Sequence, residues 1–320
     1  MLGLDEALKF MDSVVEKVNT PATQDAYAYA VVETASIKVG MHKYDDVRKE
    51  LDAAGKIIDN FDSIENSIHA AYYRVNAQYF SVRPANKEAL TFKYKSDYQN
   101  YYRNALLYLA CLPEPSPLSK HEAQTRAYEL SIAALLSDKT YNFGELLLHP
   151  ILNELRHTEY DWLRDLLFAM NAGDLDAFNK LAPRIPSIVS SDLCRVLLTM
   201  QGILNEKEAL LREKIHTSAL LALVFSRPPH SRTLEFALIA RECRLSPEEV
   251  EFLIMKAFAL GLIRGTIDQV DELVHVTWMQ GRVLDRPGVE GMKERLEQWS
   301  VGVNALEGWV YRAGQGVWVK

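Results

Sequence analysis

The spacing of apolar residues constrains this chain most, because they recur alternately four and three positions apart through the first two thirds of the sequence. That spacing places apolar side chains along one side of an α-helix, and it predicts amphipathic helices with one buried stripe each. Three of the predicted stripes are Leu4, Leu8, Met11, Val15 and Val18; Val47, Leu51, Ala54, Ile58 and Phe61; and Ile64, Ile68, Ala71 and Val75. We therefore expect an all-α chain.

Start and stop signals divide this helical region into pairs. Capping residues, prolines and glycines predict helices that begin near residues 4, 22, 43, 64, 86 and 119. A helix pair then occupies about forty residues, as in solenoid proteins. The sequence thus predicts stacked helical hairpins, a TPR/HEAT-like solenoid, over residues 1–117, and a further helical segment over 118–216. Three prolines in the connector mark the boundary between them: Pro113, Pro115 and Pro117.

The pattern changes after residue 217. A short helix from Glu235 to Cys243 is followed by Ser246, whose side chain suits the start of a second helix. Two segments rich in apolar and β-branched residues, 262–267 and 273–279, flank an acidic turn and predict a two-stranded hairpin. Three helices and a hairpin predict a winged-helix module over residues 217–283.

A C-terminal helix is predicted over residues 288–310, followed by a tail over 311–320. Its apolar residues have the four and three spacing of a helix that packs against other helices. This seam consists of Met292, Leu296, Trp299, Val303 and Leu306. Two hypotheses remain open: the seam contacts partner helices, or it folds back on the chain's own winged helix.

The second predicted strand offers another candidate interface. Val274, Val276 and Trp278 alternate with polar residues, so one face is expected to pack on the winged-helix core. An edge at Thr277 would then be free to pair with a neighbouring subunit's sheet, unless the hairpin is purely internal.

Motifs for catalysis are absent from the sequence. It contains no GxxxxGK[ST] phosphate loop, GxGxxG, GxSxG, HExxH or CxxC motif. His149 and His157 are interpreted as scattered polar positions, because metal ligands need a more specific spacing. We therefore predict no catalytic, cofactor-binding or metal-binding residues, no cofactor, and a protein that is not an enzyme.

Charge argues against a nucleic-acid partner. The formal net charge is -7, and the helix that would enter a DNA groove has three acidic residues, Glu248, Glu249 and Glu251, but only one basic residue, Lys256.

The sequence has no apolar run that could cross a bilayer and no basic start followed by an apolar stretch. A soluble intracellular protein with protein partners is expected, with no nucleic acid and no membrane.

Helical hairpins followed by a winged helix resemble the PCI-domain family of scaffold proteins. Three stretches resemble the family of the ninth non-ATPase subunit of the proteasome regulatory particle: YNFGELLLHPIL (141–152), the segment 249–285, and GMKERLEQW (291–299). The resemblance implies a non-catalytic scaffold subunit of the lid that supports ubiquitin-dependent degradation. It also implies a hetero-oligomer with other PCI-type and lid subunits, located in the cytoplasm and nucleus.

Alternatives within the same resemblance are a PCI scaffold of the signalosome or of a translation initiation complex. A nucleic-acid-binding PCI protein is a further alternative, and a basic surface beside the winged helix would favour it.

Overall fold

A computed structural model describes residues 3–20, 23–61, 65–81, 97–113, 118–181, 208–228, 231–283 and 286–314. Its N-terminal helices are α1 (Leu4–Val18), α2 (Gln24–Gly40), α3 (Tyr44–Asp59), α4 (Asn66–Ser81), α5 (Tyr98–Cys111) and α6 (Lys120–Leu136). Five of them, α1 to α4 and α6, begin within two residues of the starts expected near 4, 22, 43, 64 and 119. The start expected near 86 lies outside the described residues, and the start of α5 at Tyr98 was not predicted.

The predicted stripes hold these helices together, since consecutive helices pack through them. The α3 stripe is buried from Val47 to Ile58, while Phe61 lies beyond the helix end and is exposed. The α1 stripe is only partly covered, and its Leu4 is exposed. Among the described elements α2 is the main one packed on α1, so one side of α1 remains open.

The next elements are α7 (Gly144–Leu148), a 3₁₀ turn (Pro150–Leu155), α8 (Asp161–Ala172), α9 (Leu175–Leu181) and α10 (Glu208–Ser226). The largest cluster of buried apolar residues runs from Ala77 in α4 to Val276. It therefore joins residues on both sides of the boundary predicted at 117. A separate smaller cluster holds α2, α3 and α4 together.

The winged-helix module contains β1 (Thr233–Glu235), α11 (Phe236–Cys243), α12 (Pro247–Ala259), β2 (Ile263–Asp268) and β3 (Leu273–Met279). Ser246 and Glu249 form the expected cap of α12, because the Ser246 backbone N–H donates to the Glu249 carboxylate over 3.0 Å. The predicted two-stranded wing is confirmed, since β2 and β3 pair as an antiparallel hairpin, and a third strand that was not predicted, β1, completes the sheet in the order β1-β3-β2. β1 was not predicted because it has only three residues and one buried side chain, Leu234, which is too short for an alternating strand pattern to be recognised.

The last element is α13 (Arg286–Gly314), a helix of 29 residues. It begins two residues before the predicted 288–310 helix and extends four residues beyond it, so part of the predicted tail is helical. The segment from Trp309 to Arg312 continues the helix, because the single Gly308 weakens a helix without ending it.

Candidate interaction surfaces

The apolar seam of α13 is exposed. Every residue from Met292 to Ala313 is exposed, including all five predicted seam residues: Met292, Leu296, Trp299, Val303 and Leu306. Within the described part of the chain nothing covers the seam, so the fold-back hypothesis does not describe this structure. The sequence prediction missed Val289 and Val310, which are also exposed and extend the seam by the same spacing of three and four.

Two residues that precede α13 in the sequence, Arg282 and Val283, contact the rest of the molecule. Arg282 donates a hydrogen bond to the backbone carbonyl of Asn171 in α8, and its guanidinium lies 6.0 Å from the ring centroid of Phe225. A Cβ atom added to Gly144 would lie 2.5 Å from the Val283 Cβ. Only glycine therefore lets the connection to α13 approach α7 this closely.

The wing residues divide into two groups. Val274 and Val276 are buried in the winged-helix core, whereas Thr277 and Trp278 are exposed. The expectation that Trp278 shares the buried face is wrong, because a bulge shifts the register opposite Arg264 and Gly265. Trp278 instead stacks with Arg264, whose guanidinium carbon is 4.6 Å from the ring centroid.

The first half of β3 has no free edge, so the free edge predicted at Thr277 is confined to the second half of the strand. β3 is the central strand, and residues 273–275 pair with β1 on one side and with β2 on the other. Thr277 lies beyond the end of β1, and its hydroxyl donates to the Arg264 carbonyl over 3.1 Å. The outer strands β1 and β2 therefore form the edges of this sheet.

A buried lysine joins α10, the helix that leads into the winged-helix module, to the end of α6. Lys214 in α10 is 2% exposed, and its Nζ donates to the carbonyls of Ala134 and Leu135 at the C-terminus of α6, over 3.1 and 3.0 Å. The ammonium also lies 5.4 Å and 5.5 Å from the ring centroids of Tyr141 and Phe143. Burial raises the pKa of Tyr141 to about 12, so this ring is a neutral phenol at physiological pH.

A contact at the surface joins α9 to the winged-helix module. The Arg244 guanidinium binds both carboxylate oxygens of Asp176 in α9, over 2.7 and 2.6 Å. These hydrogen bonds lower the pKa of Asp176. The pair is exposed, so it orients the two parts more than it stabilises them.

Metal and membrane sites are not visible in the described ranges. No group of three or more His, Cys, Asp or Glu side chains there is placed to hold a metal ion. No helix in those ranges combines the length and apolar character that a membrane span requires.

Comparison with known proteins identifies the family. The model of PSD13 N-terminal repeats matches residues 2–167, and the PCI domain model matches residues 192–278. The probable 26S proteasome regulatory subunit rpn9 of Schizosaccharomyces pombe is 40% identical over 315 residues, which cover 98% of this chain and 76% of that protein. The chain belongs to the Rpn9/PSD13 family.

Other relatives agree with this assignment. The Saccharomyces cerevisiae 26S proteasome regulatory subunit RPN9 is 34% identical over 98% of this chain and 77% of its own length. The Arabidopsis thaliana 26S proteasome non-ATPase regulatory subunit 13 homolog B is 35% identical over 92% of this chain and 72% of its own length. For this Rpn9/PSD13 chain the resemblance to the PCI family is thus confirmed.

Proposed function

We propose that this chain is a non-catalytic scaffold subunit of the proteasome regulatory particle lid, and that α13 is the element by which it joins neighbouring subunits. The exposed seam of α13 is the observation that carries the proposal. It has the spacing of a helix that packs against other helices, and no described residue of the chain covers it. The names of the Rpn9/PSD13 relatives indicate which complex supplies the partners.

The free energy of docking comes from the seam. Each large apolar side chain that becomes fully buried contributes about 1.5–3 kcal/mol. Against this, Gly291, Gly302 and Gly308 each weaken the helix by about 1 kcal/mol relative to alanine. Most of the stability of a helix in a protein comes from packing of its apolar face, so partners are expected to stabilise α13 on assembly.

The partners are other lid and PCI-type subunits in a hetero-oligomer that supports ubiquitin-dependent degradation in the cytoplasm and nucleus. The wing provides a second proposed contact through Thr277 and Trp278. Val274 and Val276, which were predicted with them, are buried and instead support the strand from within.

The test is the double variant Leu296→Asp with Trp299→Ala in the tagged full-length chain. Both side chains are exposed, at 58% and 69%, so the melting temperature of the free subunit should barely change. Incorporation into the lid, measured by copurification and mass spectrometry, should be lost.

The matched control is Val301→Asp with Trp309→Ala, which likewise replaces one aliphatic residue with aspartate and one tryptophan with alanine, but outside the seam of α13. Val301 is 69% exposed and lies on the opposite side of the helix. The control should assemble normally. Unchanged assembly of the seam variant, or equal loss in both variants, would refute the role given to the seam.

A further inference from the structure

The winged helix exposes a second apolar surface that is distinct from the α13 seam. Phe252, Met255 and Ala259 recur at spacings of three and four along α12 and are exposed, with Phe252 at 61% and Met255 at 48%. We call these three residues the α12 stripe. The opposite side of α12 supplies the core: Val250, Leu253, Ile254 and Ala257. The α12 stripe is therefore not needed for the fold of the module.

Carboxylates border the α12 stripe at its N-terminal end. Glu248 lies one helical turn before Phe252, and Glu251 precedes it directly. Gln269 in the turn between β2 and β3 donates to the Glu251 carboxylate over 3.1 Å, which holds that turn beside α12.

The same turn adds both apolar surface and negative charge. Val270 is 92% exposed, and Asp271 and Glu272 follow it. The Asp268 carboxylate accepts hydrogen bonds from the backbone N–H groups of Val270 and Asp271, both over 3.1 Å. These bonds fix the conformation of the turn, so its carboxylates form an ordered border.

Positive charge near the stripe is already engaged. Lys256, the one lysine in the α12 sequence, forms an ion pair with Glu213 of α10. Arg264 stacks on Trp278 in the sheet. The α12 stripe and its border thus present apolar and acidic groups together.

We propose that the α12 stripe binds an amphipathic helical segment of a partner protein whose apolar residues are flanked by lysine or arginine. An apolar helix face is a common peptide-docking surface, and the acidic border selects a basic partner. A symmetric contact with a second copy of this chain would place one acidic border against the other. The stripe lies on a different element from the α13 seam, so this contact goes beyond the function proposed above.

The test uses the full-length chain carrying Leu296→Asp and Trp299→Ala, so that the α13 seam does not compete for the probe. The probe is a fluorescent 18-residue peptide with leucine at alternating spacings of three and four and lysine elsewhere. A second peptide has glutamate in place of lysine. Fluorescence anisotropy should show binding of the lysine peptide and at least tenfold weaker binding of the glutamate peptide.

Substitutions locate the binding surface. Phe252→Ser with Met255→Ser should weaken binding of the lysine peptide at least tenfold. Glu248→Gln with Glu251→Gln should weaken it several-fold and reduce its dependence on salt. The control Leu148→Ser removes an exposed apolar side chain from α7 and should leave binding unchanged.

Three outcomes would overturn the proposal. The peptides could bind equally well, the Phe252 and Met255 substitutions could leave affinity unchanged, or the chain could form dimers that these substitutions disrupt. Dimers, measured by light scattering, would mean that a second copy covers the stripe. Circular dichroism of each variant verifies that its helices are intact.

Discussion

Lys214 should stabilise the packing of α10, the helix that leads into the winged-helix module, against the end of α6. Its ammonium lies in a nearly dry site and donates to two carbonyls at the end of α6. A cation at this position also complements the negative end of the helix dipole. Replacing Lys214 with methionine keeps an unbranched side chain of similar length and removes only the charged group.

The magnitude follows from these contacts. Two hydrogen bonds from a charged donor contribute about 1.5–3 kcal/mol each, and the two aromatic rings add about 0.5–2 kcal/mol. Burying the ammonium costs several kcal/mol and offsets most of this gain. We therefore expect Lys214→Met to lower the free energy of unfolding by about 1–3 kcal/mol. Lys214→Ala also loses three methylene groups at about 0.8 kcal/mol each, for a total of about 3–5 kcal/mol.

Urea denaturation followed by circular dichroism measures both losses. The control is Lys139→Met, because Lys139 is exposed and its replacement should leave the unfolding midpoint unchanged. Equal or greater stability of Lys214→Met would refute the reasoning. It would mean that the desolvation cost of the ammonium exceeds the interactions it makes.

Three further predictions follow from the structure. Gly173 has a φ of 74°, and an added Cβ would lie 2.7 Å from the Ala219 Cα, so Gly173→Ala should cost about 2–4 kcal/mol of unfolding free energy. Gly261 has a φ of 70° with nothing within 4 Å, so Gly261→Ala should cost clearly less in the same urea titration; equal losses would contradict the close approach at Gly173. Burial raises the pKa of Cys243 to about 12, so its thiolate is scarce at neutral pH. In a Cys111→Ser, Cys194→Ser background, Cys243 should react with iodoacetamide only after unfolding, and fast labelling of the native chain would contradict its burial. Finally, α12 and the turn between β2 and β3 are acidic, so the full-length chain should not bind duplex DNA at physiological salt. Micromolar, salt-sensitive binding in an anisotropy titration would show this prediction wrong.

Local signals explain why so many elements could be predicted from the sequence. The cap formed by Ser119 and Glu122 lies within four residues, and the structure has it: the Glu122 carboxylate accepts from the Ser119 backbone N–H over 3.1 Å. Helix starts and the strands of the wing depend on similarly short patterns, so their positions follow from the residues themselves.

Features that depend on distant residues could not be predicted in the same way. The bulge that exposes Trp278 arises from pairing between β2 and β3, and strand β1 has only one buried residue. The contact between Gly144 and Val283 joins residues far apart in the sequence. Periodicity alone cannot show which of two contacts, with partners or with the chain itself, an apolar stripe makes.

The exposure of the α12 stripe could not be predicted from the sequence for a different reason. Its helix is apolar on two sides, a pattern that usually indicates a helix buried all round. The carboxylates of α12 argued against DNA, but nothing in the sequence distinguished Phe252, which is exposed, from Leu253, which is in the core. The position of the neighbouring helices decides this.

The length of α13 makes the position of its far end sensitive to the direction of the helix at its base. At about 1.5 Å of rise per residue, its 29 residues span roughly 43 Å. A rotation of about 10° at the base would move the far end by about 7.5 Å, more than the rise of one helical turn. The contacts of Arg282 and Val283 with α8 and α7 precede this base in the sequence. A small change in the direction of α13 at its base would therefore decide where the distant end of the seam meets its partners.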